Sequence, residues 1–397
     1  MELSLKTIES AATPKGHKDG TDRLVPPSET LERVRPHFAE AGLTRVANVT
    51  GLDVVGTPVV LAVRPNSRSL AVHQGKGLTL DAAKASAVME SLERWHAENI
   101  TLPLRLGTPR EMARSGPVLD LDRHHLFRGE AFQDRRFLWV EGRELLGDTP
   151  VWVPHDLVTL DLRSDGFDVL GPATVPPWSN SNGLASGNHP VEALTHALCE
   201  LVERDSFIRG TGRAPENGVD LATVDDPACR KVLENFRSAG LDVSVRDLTT
   251  DLAIPTFACH VGEDPATAHI PLPVNSGWGT HLRSGIALLR ALTEAAQTRL
   301  TFISGARDDI GRTVYDSHRD RLRLHTKWNK SRRLRCSRSF QETPSHAHET
   351  FEEDVLRIVD ALRSRGETQI VVVDLTKQHI GIPVLKVIVP GLLAPAK

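Results

Sequence analysis

Ala87-x-x-Glu90-x-x-Glu93-Arg94, Ala197-x-x-Glu200-x-x-Glu203-Arg204 and Ala291-x-x-Glu294-x-x-Gln297 carry one carboxylate device three times. The first two copies agree over a longer stretch. Gly77 lies thirteen residues before Glu90 and Gly187 thirteen before Glu200, with Ala83 and Ala193 six residues after those glycines. Glycine-led segments that repeat one acidic helix pattern predict an internal duplication around a shared site. On a helix, residues three apart share nearly one face, so Glu90 and Glu93 point the same way, as do Glu200 and Glu203. Two carboxylates about 5 Å apart repel by roughly 3 kcal/mol at an effective dielectric near 20. One such pair alone is most simply a solvated acidic face, supported by i,i+4 partners such as Glu90–Arg94 at about 0.3–0.5 kcal/mol each. Three copies on Ala-rich, half-apolar helices point instead to carboxylates that converge and need cations. Hard oxygen ligands suit Mg2+, which keeps waters and bridges to substrate phosphates.

Composition narrows the class. The chain has 397 residues, enough for two or three domains or one large intertwined unit. A formal net charge of −3 gives no global pull toward nucleic acid or an anionic membrane. The single Tyr argues against an aromatic platform for single strands or sugars. Cys199, Cys229, Cys259 and Cys336 are scattered without C-x-x-C spacing, as expected of reduced thiols in a cytoplasmic protein. The first twenty residues lack the apolar core of a signal peptide, and no apolar run reaches the roughly 18 residues of a membrane span.

Along the chain, residues 1–30 read as an irregular arm, followed by a helix over Thr30–Ala41 that Pro36 kinks or splits. Strands are expected at Val46–Thr50, Val59–Val63, Phe137–Glu141, Val151–Val153, Leu241–Leu248, Ala253–Val261, Ile370–Asp374 and Val384–Val389. Helices are expected over Asp81–Ala97, Pro190–Phe207, Ser284–Ser304 and Phe351–Arg365. His73–Gly77 reads as a tight glycine loop, in which glycine either supplies a positive φ or lets backbone N–H groups and Lys76 cradle a phosphate. Residues 321–338 hold eight Lys or Arg and no acid, and are expected to form a mobile basic segment for a partner or an acidic peptide. The mixture is α+β, with two glycine–helix units as its halves.

At these residues the chain resembles the YcaO family. Ser86, Glu90, Glu93 and Arg94 match that family's Ser-x-x-x-Glu-x-x-Glu-Arg. Asn188, Glu192, Glu200, Glu203 and Arg204 match its second stretch, and Arg290, Glu294 and Gln297 its third. Ile380–Gly391 is typical as well. The resemblance covers roughly residues 45–310 and 368–392. It implies a YcaO-type fold with mixed and antiparallel sheets: an arm and helix over 1–44, a YcaO domain over 45–392 (halves 45–165 and 166–310, then 311–392) and a tail at 393–397. It implies ATP bound by Lys76, Ser86, Arg94, Asn188, Glu192, Arg204, Arg290 and Gln297, and Mg2+ bound by Glu90, Glu93, Glu200, Glu203 and Glu294. The implied reaction is activation of backbone amides in a ribosomally made peptide or protein. Arg45–Asp53 and Gly305–Asp309 look like the stand-alone members that work beside a TfuA protein, and the end Ala-Pro-Ala-Lys departs from the Pro-x-Pro-x-Pro tail of azoline-forming members. Thioamide formation with a TfuA-like sulfur-delivery partner is therefore expected. The alternatives are azoline formation and an accessory role in modifying a ribosomal protein. Neither nucleic acid nor membrane is expected as a partner, and a homodimer is left open.

Overall fold

The computed structural model describes residues 3–124, 132–162, 179–210, 217–266, 268, 272–317, 320–332 and 336–394. Three sheets organise them. The first is antiparallel, with β1 (Arg45–Asn48), β2 (Val59–Val63) and β3 (Val72–Lys76) in that order. The second runs β4 (Leu104–Gly107), β5 (Phe137–Glu144), β13 (Val371–Asp374), β14 (Val384–Ile388) and β7 (Leu184–Ser186), with β6 (Thr149–Pro154) also paired to β5. The third runs β11 (Asn275–Thr280), β10 (Thr256–Gly262), β9 (Asp242–Asp247), β8 (Gly218–Asp220) and β12 (Cys336–Ser339), with β8 and β12 parallel.

Each sheet ends in a strand that feeds a long helix. β3 leads into α3 (Leu80–Glu98), β7 into α5 (Pro190–Gly210) and β11 into α7 (Ser284–Ser304). Each of these strands packs its own helix on one face and a neighbouring unit's helix on the other: β3 lies against α3 and α7, β7 against α5 and α3, and β11 against α7 and α5. The third acidic copy is thus a complete unit, and the arrangement is cyclic. Gly75, Ala185 and Gly279 each stand fifteen residues before Glu90, Glu200 and Glu294. A Cβ on Gly75 would lie 2.1 Å from the Ala87 nitrogen, and one on Gly279 would lie 2.2 Å from the Ala287 oxygen. Glycine is required there because strand and helix backbones touch. His73–Gly77 is therefore mostly strand β3, not a tight loop, and neither Gly75 nor Gly77 has a positive φ.

Shorter helices complete the chain: α1 (Leu5–Glu9), α2 (Pro27–Val34), α4 (Pro109–Ala113), α6 (Pro227–Ser238), α8 (Arg312–Ser317), α9 (Arg321–Arg332) and α10 (Phe351–Ser364). The helix expected over Thr30–Ala41 begins earlier and gives way to a tight turn at Arg35–His37, because Pro36 cannot donate to a continuing α-helix. Where it is described, the basic stretch is regular: residues 321–332 form α9 and residues 336–339 form β12. Leu324 and Trp328, one turn apart and both buried, anchor α9 and leave Arg321, Arg323, Lys327 and Lys330 exposed. The N-terminal arm is tied down by Lys15, whose ammonium lies 3.1 Å from Asp22 and 2.6 Å from Asp354 on α10. Among the described residues, no helix is long and apolar enough to cross a membrane.

Candidate active site

The three long helices bring Glu90, Glu93, Glu200, Glu203 and Glu294 into one electrostatic cluster. Glu93 feels both Glu200 and Glu90, and Glu203 feels Glu294. Alanines at the packing positions let each helix lie close on its strand, and that registers the acids inward. Burial raises Glu90, Glu93, Glu200 and Glu203 above the ordinary carboxylate range; for Glu93 the neighbouring Glu200 and Glu90 push it further, well above that range. For Glu294 burial also acts upward, but Lys76, Arg204 and Arg290 outweigh it and leave the group below its ordinary value. Glu203 and Glu294, in turn, with Glu200, hold Arg204 above its ordinary value against the cost of burial.

The direct contacts to these carboxylates are few. Lys76 Nζ lies 2.8 Å from Glu294 Oε2. The Ser186 backbone N–H donates to Glu93 Oε2 at 2.9 Å, and its hydroxyl does so at 3.2 Å. The Gln74 N–H donates to Glu90 Oε2 at 3.3 Å. Arg204 approaches Glu203 at 3.7 Å. Among the described residues, the second oxygens of Glu90, Glu93 and Glu294 and both oxygens of Glu200 accept no hydrogen bond. Arg94 and Arg290 form no ion pair there, and the Nε of each is buried without a partner. Five acids with only two cations at ion-pair distance, beside guanidiniums that lack counter-anions, fit a polyanion held together with divalent cations. The glutamates would hold Mg2+, and Arg94, Arg204, Arg290 and Lys76 would face the phosphates.

The remaining residues singled out in the sequence fall nearby. Ser86 is exposed one turn before Glu90, on the same side of α3. Gln297 donates to the Gln74 carbonyl at 3.0 Å. Asn188 and Glu192 are engaged by the N-terminal arm: Thr30 and Arg33 donate to Asn188 Oδ1, and the Leu24 N–H donates to Glu192 Oε2 at 2.8 Å. A cavity lined by Arg23, Glu192, Thr195, His196, His281 and Arg290 continues from this point. Burial and the adjacent Arg290 keep His196 well below its usual value, so it is neutral beside that guanidinium.

Sequence reasoning missed Ser186, Gln74, Arg23 and the whole of β11. A signal was present for β11, because Gly277-Trp278-Gly279 precedes Glu294 at the spacing by which Gly75 precedes Glu90. No periodicity marks Ser186 or Arg23, since their roles come from contacts across the sequence.

Residues 74–393 match the YcaO family, described as YcaO cyclodehydratase, ATP- and Mg2+-binding. The chain is 36% identical to a Rhizobium leguminosarum bv. trifolii protein described as an uncharacterized protein in the tfuA 3′ region, over 95% of this chain and 90% of that one. It is 33% identical to an uncharacterized protein of Methanothermobacter thermautotrophicus, over 93% and 94% of the two chains. In fold it is similar to YcaO from Methanopyrus kandleri, solved with AMPPCP and Mg2+ (TM-score 0.73, 24% identity, 96% of this chain and 94% of that one). It is also similar to a heterocyclase solved in complex with substrate and cofactor (TM-score 0.77, 22% identity), where it covers 97% of its own length and spans 54% of that longer chain.

Proposed function

We propose that this chain, which belongs to the YcaO family and so shares its ATP and Mg2+ cofactors, is an ATP-dependent enzyme that converts backbone amides of a ribosomally made peptide into thioamides. The observation that carries the chemistry is the cluster of five glutamates, of which only Glu203 and Glu294 have a cation within ion-pair distance among the described residues, beside two guanidiniums lacking counter-anions. ATP supplies a phosphoryl group that makes the amide oxygen a leaving group; Mg2+ neutralises its charge. The residues contribute mainly position and electrostatics. Glu90, Glu93, Glu200, Glu203 and Glu294 hold the cations. Ser186 orients Glu93, and Gln297 fixes the β3 backbone beside Glu90. Lys76, Arg94, Arg204 and Arg290 balance the phosphates, with Ser86 on the open side and Asn188 and Glu192 anchoring the arm over the adjoining cavity. Overall, amide, sulfide and ATP give thioamide, ADP and phosphate: oxygen leaves with the phosphate and sulfur takes its place.

The tfuA neighbourhood of the Rhizobium relative supports a TfuA-like protein as the source of sulfur. Azoline formation would use the same activated amide with a side-chain nucleophile. Mass spectrometry of a peptide treated with both proteins, ATP and sulfide separates the two. The expected product gains about 16 Da, oxygen exchanged for sulfur; a loss of about 18 Da, one water, would overturn thioamide formation in favour of an azoline.

A further inference from the structure

Helix α7 ends at Gly305, whose φ of +58° is left-handed and whose N–H donates to the Thr301 carbonyl at 3.2 Å. The chain then turns back onto the first sheet. Ala306 packs against the small apolar cluster of Val49, Val59, Leu61 and Leu300, and Asp308 Oδ2 accepts from the Ala71 N–H at 3.0 Å, just before β3 begins. This docking brings Arg307 within electrostatic reach of Glu90. Its charge is felt by Glu90 and by the neutral His73 behind it, and its neighbour Asp309 lies in the field of Arg94. Arg307 is held by Asp309, Nε to Oδ1 at 2.8 Å and a second bond from its terminal nitrogen to Oδ2. Both side chains are half-exposed, at 32% and 40%, whereas Arg94 is buried.

The third unit has Thr298 where the first two have Arg94 and Arg204, so its helix carries no guanidinium at that position. Arg307, nine residues further on, is the cation this unit supplies instead. A solvent-exposed Arg–carboxylate pair is weak, whereas a guanidinium facing a phosphate in a site poor in water makes short, charge-assisted, bidentate bonds. Asp309 can therefore park the guanidinium at the rim without trapping it.

We propose that Arg307 leaves Asp309 to bind the terminal phosphoryl group of the nucleotide from the solvent side of the Glu90–Glu93 pair. The proposal rests on the ATP site described above and adds a residue to it. Calorimetry with Mg2+ and either a non-hydrolysable ATP analogue or ADP tests it in the full chain. Arg307→Ala should weaken the triphosphate analogue by about tenfold, about 1.4 kcal/mol, and leave ADP within about twofold. Arg307→Lys should fail to restore the difference, because an ammonium does not make the bidentate contact. Asp309→Asn should keep or tighten the analogue. Equal effects of Arg307→Ala on both nucleotides, or none on either, would overturn the assignment while leaving the ATP site standing. Absence of Mg2+-dependent binding in the unaltered protein would remove both. If Arg307→Ala does not fold, the analogue-to-ADP ratio of Arg307→Lys decides: a ratio like that of the unaltered protein overturns the proposal.

Discussion

Helix α3 carries two kinds of glutamate. Glu98, in its last turn, is saturated: Arg64 lies 2.5 Å from one oxygen, and the hydroxyls of Ser67 at 2.6 Å and Ser69 at 2.5 Å donate to the other. Glu90 and Glu93, earlier on the same helix, receive one N–H from Gln74 and the two donors of Ser186, and no cation stands within ion-pair distance among the described residues. A glutamate that holds a fold together arrives with its partners. The central pair arrives without them and is joined by three more acids from two other helices. The difference separates a structural ion pair from the proposed ligand set, and it can be broken by mutation.

The largest effect falls on Glu98. Glu98→Gln leaves the Arg64 guanidinium buried without its counter-charge, and burial already presses Arg64 below its ordinary value. Urea unfolding should register a loss of about 3–5 kcal/mol. Glu93→Gln, on the same helix, should cost nothing in metal-free protein and stabilise it by roughly 1–2 kcal/mol, since one charge of a repelling set is removed. Equal losses in the two variants would erase the distinction.

Next comes pH. Glu90, Glu93, Glu200 and Glu203 have raised values in the folded chain, so their contribution to stability is full below the ordinary carboxylate value of about 4.3 and is lost as pH rises through the folded values. Glu294, held low, works in the opposite sense, its contribution lost as pH falls. Histidines held below their ordinary value, such as His73 and His96, act in the same sense as Glu294, so the acids are read by difference: between about pH 5 and 8 the melting temperature of metal-free protein should fall relative to that of protein saturated with Mg2+-nucleotide. A constant difference between the two states would mean that the four acids carry no excess charge.

Smaller still is Lys76→Ala. The Lys76–Glu294 pair is about one-fifth exposed on each side, so stability should change by less than about 1 kcal/mol. Nucleotide affinity should fall while the melting temperature holds; the reverse pattern would make Lys76 structural. The smallest effect belongs to α9. Lys327→Glu with Lys330→Glu should leave stability within about 0.5 kcal/mol and weaken association with an acidic partner at low salt. Unchanged association would leave α9 a solvated helix.

Much of this was legible in the chain. α7 starts and ends at the residues that periodicity indicates, and β2 does too, because an Ala- and Leu-rich helix closed by Gly305 and a Val-rich strand both carry strong local signals. The pairing of acids three apart was equally plain. The cyclic arrangement was not. β3 carries Gly75 and β11 carries Gly277 and Gly279, whose intrinsic preferences argue against a strand, and only the helix backbone pressed against them explains those residues. α9 is hard to read from sequence because its five basic residues hide the two apolar anchors Leu324 and Trp328. The hold of the arm on Glu192 and Asn188 links positions more than 150 residues apart, beyond the reach of local pattern.

On the proposed function, the five-glutamate cluster binds nucleotide together with Mg2+. Calorimetric titration of a non-hydrolysable ATP analogue, with and without Mg2+, into the unaltered protein and into Glu93→Gln tests it most directly. Binding is expected only when Mg2+ is present, and should weaken by at least about tenfold in Glu93→Gln even though that variant melts no lower than the parent. Equal affinity in both proteins, independent of Mg2+, would contradict it.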